Sequence, residues 1–458
     1  MDRISKLPIG IIETILCLLP IQEAARTSIL SKEWRYHWTK IPKLVFNEYN
    51  FEVSTDRAEP SVLEQTFDKP SKRREMHKRC KFFYAIYQVL LIHEGPIHEF
   101  TLSMGVDTSC VEIDQILRHL SKKNTLKILK LSFCAGGDVG YKLPISLFSL
   151  HQLTSLYLSG CALYQQRSFN EFGYLTTLHL EGVWMYEKML LRLLSSCPFL
   201  KSLTLDNGST FIYDDGHTTI VDLLECLPVI EYLYVVFSFV EDFLRWRHPK
   251  ELPTALVHLK YLCIHDLSFS HIYGLPFLAL LIRSSPNLEK LKLVMYDEDL
   301  EEYEMGSFTL EDYSDITLEH LNELEIIHFS DAENELDFVK LIMAKSPVLK
   351  EMWEEAFVGG DDDVGSFTLD DYSDIMLEHL KEFEIQDFTD SENELDFVRL
   401  ILAKSPVLKK MTISPHYFFD IDEESVSQVS EILFSSPCAS PVVEIIVGRY
   451  KSDRSCPW

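Results

Sequence analysis

The chain has 458 residues, 46% of them apolar, and a formal net charge of −28, enough apolar material for a large or a long continuous core. It has no apolar run of about 18 residues, the length a membrane-spanning helix needs, so no membrane association is expected. Its ten cysteines include no C-x-x-C pair, which argues against zinc-finger and haem-attachment spacing and reads as reduced thiols of the cytoplasm or nucleus.

The first forty residues read as three short helices. Pro8 suits the first turn of a helix, where a missing N–H costs nothing, and Pro20 stops that helix. Between them Ile11, Ile12, Ile15, Leu16 and Leu19 form a wide apolar stripe, with Leu18 beside it. The prolines and Glu13 make the stretch a helix rather than a secretory signal core. A second helix is expected from Ile21 to Leu30, and Ser31 can cap a third that carries Trp34, Arg35 and Trp38. A unit this small cannot hide so much apolar surface internally. It either covers the end of a larger array or presents a patch to a partner.

Residues 48–71 read as a linker. From Ser71 to Lys81 six Lys and Arg crowd into eleven residues. They form either a nuclear-import signal or the solvated start of the amphipathic helix that follows, "KFFYAIYQVLLIHEG".

A six-residue pattern, L-x-x-L-x-L with substitutions, then recurs ten times, at Leu126, Leu153, Leu175, Leu200, Ile230, Leu259, Leu288, Leu321, Leu380 and Leu408. Up to Leu321 the intervals run from 22 to 33 residues. The last two apolar positions, two apart, point to one side of a short strand, and stacking such strands makes a continuous core. Segments such as "MLLRLLSSCPF" supply helices between them. The expected fold class is α/β, a strand–helix leucine-rich-repeat solenoid, or horseshoe, behind the N-terminal helices.

Gly306–Met352 and Gly365–Met411 are identical at 36 of 47 positions, a tandem copy that lengthens the array. The acidity of the chain is concentrated there. From Asp297 to Asp396, 33 Asp and Glu face Lys340, Lys345, Lys350 and Lys381, a balance of −29. That region would repel nucleic acid. A solvated face explains the charge plainly, and a basic protein partner explains it functionally. Where the second copy has Ile413 the first has Glu354, so the last strand of the first copy is expected to be frayed or bulged, with a loop around Gly359 to Asp363.

Leu7-Pro8, the Ile/Leu stripe, Leu19-Pro20, "ARTSILSKEWRYHW" and "IPKLVF" closely resemble the plant F-box, and "NELDFVKLIMAKSPVLKEM" resembles the FBD segment of the plant F-box/FBD/leucine-rich-repeat family. The resemblance runs from Asp2 to about Arg449. It implies a three-helix F-box at 1–46, a linker at 47–81, leucine-rich repeats at 82–300, duplicated FBD-like repeats at 301–415 and a C-terminal segment at 416–458. It implies a substrate-recognition subunit of a cullin-based, SCF-type ubiquitin ligase. The F-box would bind a Skp-family adaptor and the repeats an unknown target protein. The alternative is a repeat scaffold that binds a partner without its ubiquitination.

Carried over residue by residue, the adaptor-binding set is Leu7, Pro8, Ile11, Ile12, Ile15, Leu16, Leu19, Pro20, Ala24, Ser28, Leu30, Trp34, Arg35 and Trp38. The family usually has an acidic residue after Leu-Pro, and this chain has Ile9, which forgoes a favourable charge at the helix N-terminus. Some members of the family are hormone receptors that hold a polyphosphate. No basic series on these strands suits one. No phosphate-binding loop, H-E-x-x-H, G-x-S-x-G or dinucleotide fingerprint occurs, so no catalytic residues, metal or cofactor are expected. The resemblance suits a protein of the nucleus, the cytoplasm or both.

Overall fold

The computed structural model describes residues 7–32, 34–51, 69–106, 110–135, 140–163, 172–206, 218–244, 252–269, 271–296, 313–329, 333–356, 376–388, 392–415, 433 and 436–448. The chain forms two compact units, Met1–Gly216 and His217–Trp458.

The first unit opens with helices α1 (Ile9–Cys17) and α2 (Ile21–Arg26), followed by 3-10 turns at Thr27–Ile29 and Trp34–Lys40. The expected second helix therefore ends early and the third is 3-10. The cause is local. The Thr27 hydroxyl donates to the Ala24 carbonyl at 2.6 Å and the Ser28 hydroxyl to Ala25 at 2.5 Å, drawing those carbonyls away from the α pattern. Ser31 does cap the third segment, its hydroxyl accepting from the Trp34 N–H at 3.2 Å.

Next come β1 (Lys43–Asn47), α3 (Lys69–Ile92), β2 (Glu99–Val106), α4 (Val111–Lys123), β3 (Ile128–Ala135), β4 (Tyr141–Lys142), β5 (Ser155–Ser159), β6 (Cys161–Leu163), β7 (Thr177–Glu181), β8 (Trp184–Met185), α5 (Glu187–Ser195) and β9 (Ser202–Asp206). Strands β1, β2, β3, β5, β7 and β9 pair in that order, all parallel. The short β4, β6 and β8 form a second parallel ladder. Alternate residues face the core, as with Leu178 and Leu180 on β7, both fully buried. Gly160 sits at φ +64° with Phe133 O 1.8 Å from where a Cβ would stand, so only glycine lets the chain turn from β5 to β6. The expected boundary between linker and repeats at 81/82 falls inside α3.

In the second unit α6 (Ile220–Glu225) begins with a capping box in which Thr219 and Asp222 satisfy each other's backbone N–H. Strands β10 (Tyr232–Val236), β11 (Tyr261–Leu267), β12 (Lys290–Met295), β13 (Glu323–Phe329), β14 (Glu351–Ala356), β15 (Glu382–Phe388), β16 (Lys410–Pro415) and β17 (Glu444–Val447) pair in chain order, all parallel. Helices α7 (Phe237–Leu244) and α8 (Gly274–Ser284) follow β10 and β11, and α9 (Glu333–Lys345) and α10 (Glu392–Lys404) follow β13 and β15. Each copy of the duplicated phrase thus supplies a strand, a helix and a strand.

All ten L-x-x-L-x-L sites lead into or lie on strands. Three strands end alike. Asp266, His328 and Asp387 take left-handed backbone (φ 55°, 59° and 53°), and the register shift there swings Leu267, Phe329 and Phe388 into the core.

The expected fraying of β14 is not observed. Trp353 and Glu354 pair in unbroken register with Glu325 and Ile326 on one side and with Glu384 and Ile385 on the other. The backbone ladder is indifferent to side-chain type, and two flanking strands hold β14 in line although Glu354 is only 1% exposed. The loop expected at Gly359–Asp363 and most of the expected linker lie outside the described residues.

Candidate functional site

Two surfaces have the chemistry of binding sites: the N-terminal helical segment and the outward face of each sheet. In the helical segment Pro8 and Pro20 stand as N-caps, one residue ahead of the first helical position expected for Pro8. Their ψ angles of 142° and 144° are extended, and their carbonyls accept the first helical bonds, from Ile12 at 3.2 Å and Ala24 at 2.9 Å. No acidic residue occupies the first turn of α1, and Ile9, at the family's usual acidic position, is exposed.

The apolar stripe of α1 divides in two. Ile12 and Leu16, four residues apart, are 2% and 0% exposed and pack inward. Ile11, Ile15 and Leu18 form a parallel row facing solvent, Leu18 at 80%. Ala24 and Trp34 complete the internal core, with Trp34 edge-on to His37 at 5.9 Å. Of the residues assigned from the sequence, Ile12, Leu16, Ala24 and Trp34 are therefore buried in the segment. Pro8, Ile11, Ile15, Leu19, Pro20, Leu30 and Arg35 are exposed, and Leu7, Ser28 and Trp38 are half-buried.

Sequence reasoning missed Ile9, Leu18, Ile29 and Tyr36, which the fold leaves exposed, Ile29 at 86%. A second i, i+4, i+7 row at 11, 15 and 18 was the available signal. Leu18, Leu19 and Pro20 also line an open groove of about 680 Å³ whose far wall is Val45, Phe82 and Val89.

The segment is keyed rigidly to the sheet. Thr39 O accepts from the Glu94 N–H at 2.9 Å, Pro42 O accepts from His98 at 2.8 Å, and β1 joins the parallel ladder. A Cβ on Gly95 would lie 2.6 Å from Lys40 O, so the close approach needs glycine. Buried His93 donates from Nε2 to Ile41 O at 2.8 Å, and desolvation holds its imidazole below the ordinary value of 6.5.

The outward sheet faces differ in charge. In the first unit the middle row reads Val45, Thr101, Lys130, Tyr157, His179 and Thr204, with Lys130 Nζ 4.4 Å from the Tyr157 ring centre. The corresponding row of the second unit reads Tyr234, Cys263, Lys292, Glu325, Trp353, Glu384 and Thr412. Among the described residues no group of His, Cys, Asp and Glu is placed to hold a metal ion, and no helix is long and apolar enough to cross a membrane.

The matched family models are an F-box domain over residues 4–46, the leucine-rich repeats described for an FBD-associated F-box protein over 113–214, and FBD over 317–353 and again over 375–413. None of these is a catalytic family. The F-box/FBD/LRR-repeat protein At1g13570 of Arabidopsis thaliana is 32% identical over 426 residues, covering 90% of this chain and 91% of the relative. The putative FBD-associated F-box protein At3g50710 of the same plant is 24% identical over 414 residues, covering 76% and 91%. With an F-box fold at its start, a parallel repeat sheet behind it and two FBD matches on the duplicated strands, the chain belongs to the plant F-box/FBD/leucine-rich-repeat family.

Proposed function

We propose that this chain is the target-recognition subunit of an SCF-type ubiquitin ligase. Its F-box docks on a Skp-family adaptor, its repeats hold a target protein, and none of its own side chains takes part in a covalent step. One observation carries the reading. Ile11, Ile15, Leu18, Leu19, Ile29 and Leu30 are exposed on a helical segment whose own core is complete, so the apolar surface serves a partner. Tethering then raises the effective concentration of a target lysine near the charged conjugating enzyme. The same reading places the chain in the nucleus, the cytoplasm or both, where cysteines without a C-x-x-C pair stay reduced.

The test is capture of a purified Skp-family adaptor by the full chain and by Ile15→Asp/Leu18→Asp. Both substitutions lie on the surface, so folding is retained and capture is lost. Undiminished capture by the double variant refutes the docking face. A cycloheximide chase of bound proteins, with and without the F-box, then separates a ligase subunit from a scaffold that spares its partner.

A further inference from the structure

We propose that the groove along the open edge of β1 binds an uncharged, extended segment of a partner protein, which adds to the first unit's sheet as one more strand. This slot is a second docking place beside the F-box face, and it needs nothing from the ligase reading.

Among the described residues β1 pairs with β2 alone and ends the sheet on its side. Pro42 O accepts from the His98 and Glu99 N–H groups, and the Glu48 N–H donates to Ser103 O. Residues alternate in direction along a parallel ladder, so Lys43, Val45 and Asn47 turn their own N–H and C=O groups to the open edge. Nothing among the described residues bonds to the main chain of Val45 or Asn47 from that side. Exposed edges are usually blunted by a proline, a bulge or an unpaired charge. β1 contains no proline, its register with β2 is unbroken, and its one charged residue, Lys43, is held by Glu99 at 3.1 Å.

A second, independent feature coincides with this edge. Lys43, Val45 and Asn47 line the groove of about 680 Å³ that Leu18 and Leu19 share with Phe82 and Val89. The unmet main-chain groups call for a backbone, and the apolar walls call for side chains. Water answers only the first. A docked helix answers only the second, because its own N–H and C=O groups are already used internally. An extended segment answers both: its backbone meets Val45 and Asn47 while alternate side chains enter beside Leu18, Leu19, Phe82 and Val89. Charge narrows the class further. The charged residues lining the groove are Glu23 and Lys43, and each is already paired, Glu23 with Arg26 and Lys43 with Glu99. A charged segment would therefore lose hydration without gaining a counter-charge, and an uncharged one does not. The five residues of β1 set the length of the bound stretch, about 16 Å at the rise of a strand.

The experiment uses the full chain and fluorescein-labelled Ser-Val-Ser-Val-Ser-Val, followed by anisotropy, with the same peptide N-methylated at alternate amides, in each of the two phases, as the backbone control. The unmodified peptide binds with an affinity that changes less than about twofold between low and raised sodium chloride. N-methylation in the phase that blocks the edge-facing amides abolishes binding. Val45→Pro removes an edge N–H without touching a β1–β2 bond and weakens binding by about tenfold, with amide exchange of β2 unchanged. Val89→Lys sets a charge on half-buried groove wall and weakens binding at least as much, so it decides the matter if Val45→Pro disturbs β2. Val111→Lys, an exposed position on α4, leaves binding within about twofold. The slot is refuted if the unmodified peptide fails to bind, if both N-methylated forms bind as well as it does, or if Val89→Lys binds like the parent chain. Binding that appears only after residues 52–68 are replaced by an equally long Gly/Ser stretch would assign the groove to the chain's own segment instead. A concentration-dependent dimer in light scattering that Val89→Lys dissolves would assign it to a second copy.

Discussion

Leu16 and Leu18 are two residues apart on one helix and should fail in opposite ways when truncated to alanine. Leu16 is fully buried, so Leu16→Ala removes its transfer free energy and leaves a cavity, a cost of about 2–5 kcal/mol. Leu18 is 80% exposed, so Leu18→Ala changes stability by less than about 0.5 kcal/mol. Docking would reverse the ranking. Burying an exposed leucine against the adaptor is worth about 1.5–3 kcal/mol, so losing most of that side chain weakens the complex by roughly ten- to a hundredfold. The assay is titration calorimetry against the purified adaptor, alongside amide exchange of β1 as the measure of local stability. Leu18→Ala should raise Kd with exchange unchanged, and Leu16→Ala should accelerate exchange. An unchanged Kd for Leu18→Ala, or unchanged exchange for Leu16→Ala, would refute the division of the stripe into a face and a core.

Other outcomes follow from single contacts. Gly95→Ala drives a methyl into Lys40 O and should cost about 1–3 kcal/mol, read as faster amide exchange at Glu94 and His98. Protected amides there would show that the junction tolerates a side chain. Glu354→Ile restores the residue of the second copy between Ile326 and Ile385 and should stabilise the second unit by about 1 kcal/mol, read as a raised denaturant midpoint. A lowered midpoint would mean that the carboxylate is integral to the strand. For His93 the folded-state pKa lies below the ordinary 6.5, so the unfolded chain takes up the proton first. The first unit should therefore be fully stabilised above that value and lose stability as pH falls through it, with His119 and His179 acting in the same direction. His93→Gln should reduce this slope between about pH 7 and 5.5, and an unaltered slope would exclude His93 as a contributor.

The repeat architecture was readable because its signal is periodic and short-range. Two apolar residues two apart in each unit, repeated ten times, fix which side of each strand is buried. Proline placement and an apolar stripe showed a short helical segment, and its resemblance to the plant F-box supplied the identity. The stripe's division was not, because α1 is apolar on adjoining faces and only the packing of Ala24 and Trp34 against it decides that Ile12 and Leu16 turn inward. The state of β14 was misread for a related reason. A buried glutamate argues locally against a strand, yet β13 and β15 supply backbone partners on both sides.

From sequence alone came the α/β class, the F-box, the tandem copy and the concentration of negative charge, all properties of residue order and composition. Tertiary structure decided which apolar residues remain for a partner and which carboxylates stand side by side. Parallel register brings Glu323, Glu351 and Glu382 into one row although they are far apart in the chain. The physical reason is that exposure and electrostatic neighbourhood are set by what packs alongside a residue, and in a stacked sheet those neighbours come from other repeats.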